Sequence, residues 1–185
     1  MKSVTVLCSV ALLGVLAVVG CRSKAAPEEP DEVNEAVDKA VAAGADISPS
    51  KRNMVVRMLR LNEKDLILGL RTFAELSGGH YPADLDTQST LKQVETDRLG
   101  SSTPDLSESS KKRMLLDIFF ASAFYDKLKR DKRNVEYRGD TVGRQDTDKM
   151  LMCWSESKGR HRVVFGDLTI RTLSSQQLAE LTKWR

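Results

Sequence analysis

The chain has 185 residues, 41% of them hydrophobic and 30% charged, with a formal net charge of +3 at pH 7. That length suits one domain with a tether, and 29 Lys and Arg against 26 Asp and Glu leave no global field for nucleic acid. Three cysteines and two histidines offer few soft ligands, and neither a metal nor a cofactor is implied.

The first segment carries Lys2 and then an almost uncharged apolar run from Val4 to Val19. Such a run is short for a permanent span, which needs about 20 apolar residues. A positive start, an apolar middle and a small-residue exit are the pattern of a secretory signal peptide. The exit, Val18-Val19-Gly20-Cys21, resembles the lipobox read by the lipoprotein signal peptidase. That resemblance implies cleavage between Gly20 and Cys21, removal of residues 1–20, and acyl chains, palmitate among them, on the Cys21 thiol. Two or more chains make a stable membrane anchor where one does not. Arg22, rather than Asp, follows the cysteine and points to the outer membrane, with the protein facing the periplasm.

Residues 21–30 read as a polar, proline-containing tether, and residues 31–185 as a single α+β domain. Asp31 to Ala43 places Val33, Ala36, Val37, Ala40 and Val41 on one helical stripe, and 31–46 is expected to be loosely docked. Ser48-Pro49 reads as a cap with proline in the first turn. From there Val55, Met58, Leu59, Leu66, Leu70, Phe73 and Leu76 recur at helical spacing. Asn62 with Asp65 can restart a helix inside that span, giving one long or two abutting helices, and its apolar face is expected to be the main packing element. Gly78-Gly79-His80-Tyr81-Pro82 is a turn, and Leu85 to Leu99 a weaker helix capped by Asp84 or Asp86.

A long helix is predicted from Ser107 to Asp131, with Leu115, Ile118, Phe119, Phe124, Tyr125 and Leu128 inward. The period then changes. Val135-Glu136-Tyr137, Met150 to Trp154, Arg162 to Phe165 and Leu168 to Arg171 read as strands, with Ser155 to Gly159 as a polar connection. Ser174 with Gln177 forms a capping box for a last helix, Gln176 to Lys183. Helices followed by an antiparallel meander and a C-terminal helix make an α+β fold.

Two stretches carry further resemblances. Leu76 through Leu85, with its Gly78-Gly79-His80-Tyr81-Pro82 core, resembles the turn after the long helix of type II secretion pseudopilins. Tyr137 through Leu181 resembles a segment of short planctomycete envelope proteins, marked by Tyr137-Arg138-Gly139, Trp154, Arg162 to Leu168 and Gln177-Leu178-Ala179. Pseudopilins begin the mature chain with an apolar transmembrane helix, whereas the helix from Pro49 is basic at Lys51, Arg52, Arg57 and Arg60. The resemblance therefore implies only an architecture of helix, turn and small sheet.

Catalytic motifs are sparse. Ser48-Pro49-Ser50-Lys51 and Ser109-Ser110-Lys111-Lys112 fit S-x-x-K, but no K-T-G or S-D-N element follows. No G-x-S-x-G, P-loop or G-x-G-x-x-G is present. His80 and His161 read as surface groups, Trp154 as a core residue and Cys153 as a buried structural thiol. Arg162 and Asp167 bracket a strand and can pair across its bend.

Charge is unevenly spread, acidic over 28–46 and basic over 111–133. The basic stretch reads as a solvated helix face or a contact for anionic headgroups. Tyr81, Trp184, Lys127, Lys129, Arg130, Lys132 and Arg133 are the candidate interaction residues. The resulting expectation is a non-enzymatic envelope lipoprotein, bound to the membrane through Cys21 and to an unknown envelope protein. An accessory factor or enzyme on peptidoglycan or another envelope polymer is the first alternative. A pilin-like secretion component is the second.

Overall fold

The computed structural model describes residues 35, 39, 49–96 and 107–183. The leader, Cys21, the tether, nearly all of the 31–46 segment and Trp184 lie outside the described residues. The chain divides into two compact units at Arg60–Leu61. The described part of the first is helix α1, Pro49–Leu59, whose side chains from Met54 to Leu59 are half-buried.

The second unit contains α2 (Glu63–Leu76), α3 (Thr87–Thr96), α4 (Glu108–Arg130), β1 (Glu136–Tyr137), β2 (Met150–Ser157), β3 (Arg160–Phe165), β4 (Ile170–Ser174) and α5 (Ser175–Lys183). The four strands form one antiparallel meander in the order β1-β2-β3-β4. This is the expected α+β fold.

Helix α2 starts where Asn62 and Asp65 close a capping box, so the Pro49–Leu76 span is two helices. Buried apolar residues concentrate in α2: Leu66, Leu70, Phe73 and Ala74. The main packing element is therefore α2, not the combined span. It lies close against α4 because Gly69 has no side chain. A Cβ there would run into the Asp117 carbonyl and the Ala121 methyl. Phe73 packs with Val94 of α3 and Ile118 of α4. Leu115, expected inward, is 43% exposed, since the buried stripe of α4 runs through Asp117, Ile118, Ala121 and Phe124 instead.

The sheet is covered on both faces, which is why Met150 through Trp154 is a continuous buried run. On one face Trp154 meets Phe124 of α4 edge-on at 6.0 Å. On the other, Met150, Cys153, Val163 and Phe165 pack with Leu173 and with Leu178 and Leu181 of α5. A register shift between Met150 and Met152 puts Met150 and Cys153 on the same face despite their odd spacing.

All four strands differ from expectation at a boundary: β1 starts one residue later, β3 starts two earlier, and β2 and β4 run further. β2 continues to Ser157, and the chain reverses at Lys158-Gly159 with Gly159 at φ +76°. The polar sequence of Ser155 to Ser157 hides a strand that projects past the core, where no apolar alternation is needed. β4 begins at Ile170, not Leu168, because Asp167 accepts from the Thr169 amide at 2.9 Å and its hydroxyl at 2.7 Å. That bend holds Leu168 at φ +66°.

Candidate functional site

The turn Gly78 to Pro82 and the tail from Tyr137, each singled out in the sequence, meet in space. His80 bridges Gly143, and the Arg144 amide donates to the Gly79 carbonyl at 2.9 Å. The Tyr81 hydroxyl donates to the Gly166 carbonyl, and the Tyr137 hydroxyl to the Pro82 carbonyl at 2.9 Å. Gly139 has no room for a Cβ between Pro82 and Tyr137, and Gly166 none against Asp146 and Gly143. Burial pushes the Tyr81 hydroxyl up to about 12, with Arg144 opposing and Asp167 reinforcing, and burial raises Tyr137 as well. These residues hold backbone together. Tyr81, expected at an interaction surface, is buried at 3% exposure, because its ring fills the junction and its hydroxyl is bonded inside it.

The two ends of the β2–β3 hairpin differ in charge. At the turn end, α4 finishes and Arg133 reaches the strand. The Ser155 amide donates to the Arg133 carbonyl at 2.6 Å, and Arg133 Nη1 donates to the Glu156 carbonyl at 2.8 Å. That docking brings the end of α4, which carries Lys127, Lys129, Arg130, Lys132 and Arg133, to the hairpin that carries Lys158 and Arg160. All but the half-buried Lys127 are exposed. Acids border these cations. Glu156 pairs loosely with Arg160 at 3.6 Å, Asp131 is exposed among them, Asp126 accepts from the Thr87 amide and hydroxyl at 3.2 and 2.7 Å, and burial raises the Tyr125 hydroxyl with Asp84, Asp126 and Asp86 adding to it. Lys129 lies 5.1 Å above the Tyr125 ring.

The basic run over 111–133 is thus not one patch. Lys111 to Arg113 sit in the first turns of the 23-residue α4, about 25 Å from Lys129 at 1.5 Å per residue. What the local sequence did not signal is the partnership with Lys158 and Arg160, which a hairpin contact creates.

An open depression of about 580 Å³ runs along the α5 face of the sheet, from Asp148 and Asp167 beyond the far end of the hairpin, past Arg171 and Glu180, to Leu173, which pairs with His161. Arg171 stacks 4.9 Å from the Phe165 ring. The Thr169 bonds hold the Asp167 carboxyl below the usual carboxylate range. Asp167 does not pair with Arg162. That guanidinium forms a two-pronged pair with Glu63, the first residue of α2, and donates to Thr172 Oγ1 at 2.7 Å.

His80 is exposed, and His161 is half-buried with Nε2 3.1 Å from Ser175 Oγ. Cys153 is buried with its thiol pushed up to about 11 by burial and then by Glu136. Trp154 is in the core as expected. Asp86 caps α3, its Oδ1 accepting from the Gln88 and Ser89 amides at 3.0 Å each. Among the described residues no His, Cys, Asp or Glu side chains gather in a group able to hold a metal ion. Among the same residues no helix is long and apolar enough to cross a membrane.

Fold and surface together define a small layered α+β domain with a basic end and an acidic end. No family model matches the chain, and no match appears among curated proteins or solved structures.

Proposed function

We propose that this protein is a lipid-anchored component of a bacterial cell envelope that acts by protein contact rather than catalysis. The observation that carries the reading is Val18-Val19-Gly20-Cys21 at the end of an apolar leader, followed at once by a polar, proline-containing stretch. Only a thiol accepts a diacylglyceryl group as a thioether, and a glycine before it leaves the scissile bond accessible. Two chains on Cys21 hold the protein in the membrane, facing the periplasm, with the outer membrane favoured by Arg22.

The chemistry of the domain supports contact over turnover. The Tyr81 and Tyr137 hydroxyls are committed to backbone carbonyls. The Cys153 thiol, raised to about 11, stays protonated at neutral pH and is a weak nucleophile.

Incorporation of a tagged fatty acid tests the anchor. The wild-type chain takes up label and fractionates with membranes, and Cys21→Ser abolishes both. Label retained in Cys21→Ser contradicts the reading. Cross-linking in intact membranes tests the contact, with a discrete adduct to another envelope protein as the expected product.

A second reading, an accessory factor on an envelope polymer, is favoured by the carboxylates of Asp148, Asp167 and Glu180 around the depression. It requires Asp148→Asn with Glu180→Gln to change polymer turnover. The contact reading expects no change.

A further inference from the structure

We infer that the basic end of the domain rests on the anionic phospholipid headgroups of the membrane that holds Cys21, leaving the end that carries Asp148 and Asp167 facing away. The inference rests on the lipid-anchor reading above and adds an orientation to it.

Several independent features converge on this end. The cations come from two segments far apart in sequence: Lys127, Lys129, Arg130, Lys132 and Arg133 at the close of α4, and Lys158 and Arg160 at the hairpin turn. Among the described residues Lys127, Arg130, Lys132 and Lys158 make no ion pair. Seven cations outnumber the acids beside them, Asp126, Asp131 and Glu156.

The backbone adds a second observation. Helix α4 ends with the Lys132 amide on the Lys129 carbonyl at 3.0 Å and the Arg133 amide on the Leu128 carbonyl at 3.0 Å. This closure places a left-handed residue just past the cap, normally glycine. Here it is Lys132 at φ +55°, followed by Asn134 at φ +49°. A strained non-glycine position at a charged surface points toward a use for the side chain.

Position within the domain agrees. Arg162, which holds Glu63 at the start of α2, lies two residues along β3 from Arg160. The chain arriving from the anchor therefore enters this unit nearer its basic end. Asp148 and Asp167 lie toward the other end of the eight-residue β2, about 20 Å away at 3.3 Å per residue. A domain so polarised turns its basic end to a negative surface, where each Lys or Arg contributes about a fivefold factor in occupancy. The contact is electrostatic and needs no inserted apolar side chain.

The test places the mature, lipidated protein in phosphatidylcholine vesicles and in phosphatidylglycerol-rich vesicles, with amine labelling read by mass spectrometry. The protein associates with both through its acyl chains. In anionic vesicles, labelling of Lys129, Lys132 and Lys158 falls about fivefold or more relative to phosphatidylcholine, while Lys112 and Lys149 are unchanged. Salt near about 0.5 M restores the lost labelling by screening. The variant Lys132→Gly with Lys158→Glu, which removes backbone strain rather than a structural contact, regains Lys129 labelling in anionic vesicles.

Equal labelling in the two vesicles overturns the inference and leaves the anchor intact. Protection in both overturns it too, because it would not depend on headgroup charge. Failure to associate with phosphatidylcholine vesicles removes the anchor itself, and the inference falls with it.

Discussion

Helices α2 and α4 end in the same way with different residues in the critical place. After α2, the Gly79 amide closes on the Ala74 carbonyl at 2.7 Å and the left-handed position is Gly78 at φ +70°. After α4, the Arg133 amide closes on the Leu128 carbonyl and the left-handed position is Lys132 at φ +55°. A glycine takes that conformation without cost, while a side chain costs about 1 kcal/mol. The first end feeds the tyrosine junction, where side chains bond to backbone and the fold is set. The second feeds a surface where cations stand with few partners. One end of the molecule is optimised for stability, and the other tolerates strain to carry charge.

The largest expected effect lies in the junction. Gly139→Ala forces a methyl into the Pro82 carbonyl and the Tyr137 ring, and overpacking against backbone is expected to cost about 3 kcal/mol. Urea denaturation measures it, and a loss below about 1 kcal/mol would show the junction to be pliable.

Next is Tyr81→Phe, which leaves the Gly166 carbonyl unpartnered and is expected to cost about 1–1.5 kcal/mol at pH 7. The same residue gives the pH dependence its sign. Burial pushes its hydroxyl from the ordinary tyrosine value of 10.0 up to about 12. The folded state therefore holds the proton more tightly. That contribution is full below the unfolded value and is lost as pH rises from about 10 toward about 12. Stability of the wild type should fall across that window, and Tyr81→Phe should fall less.

The two helix ends can be exchanged directly. Gly78→Ala meets no atom within 4 Å, so its expected cost of about 1 kcal/mol is conformational. Lys132→Gly is expected to gain about 0.5–1 kcal/mol. Thermal melts of the two variants should move in opposite directions, and a shift of the same sign would break the comparison. Smallest of all, Lys158→Glu is expected to stay within about 0.5 kcal/mol of wild type, because that side chain supports nothing in the fold.

Much of this architecture was readable from local pattern. The Asn62–Asp65 and Ser174–Gln177 boxes, the Ser107 cap and the four strands all announce themselves through short-range chemistry. So did the burial of Cys153 and Trp154, which lie in an unbroken apolar run. Features that depend on distant partners were not readable. Nothing near Gly69 reveals that Asp117 and Ala121 will press against it, and nothing near Tyr81 reveals Gly166. A tyrosine after a glycine turn looks exposed until the tail closes over it. The basic end was half visible, since Lys127 to Arg133 are contiguous while Lys158 and Arg160 join only through the hairpin. The acidic depression was not anticipated, because Asp148, Asp167 and Glu180 sit on three separate segments.

On the proposed lipid-anchor reading, the working protein begins at Cys21 and is held by lipid on that residue. Intact mass and amino-terminal peptide analysis of protein extracted from membranes tests it most directly. The expected result is a chain lacking residues 1–20, whose first residue is Cys21 carrying a diacylglyceryl group. A chain that retains Met1 to Gly20, or an unmodified Cys21 thiol in the membrane fraction, would contradict it.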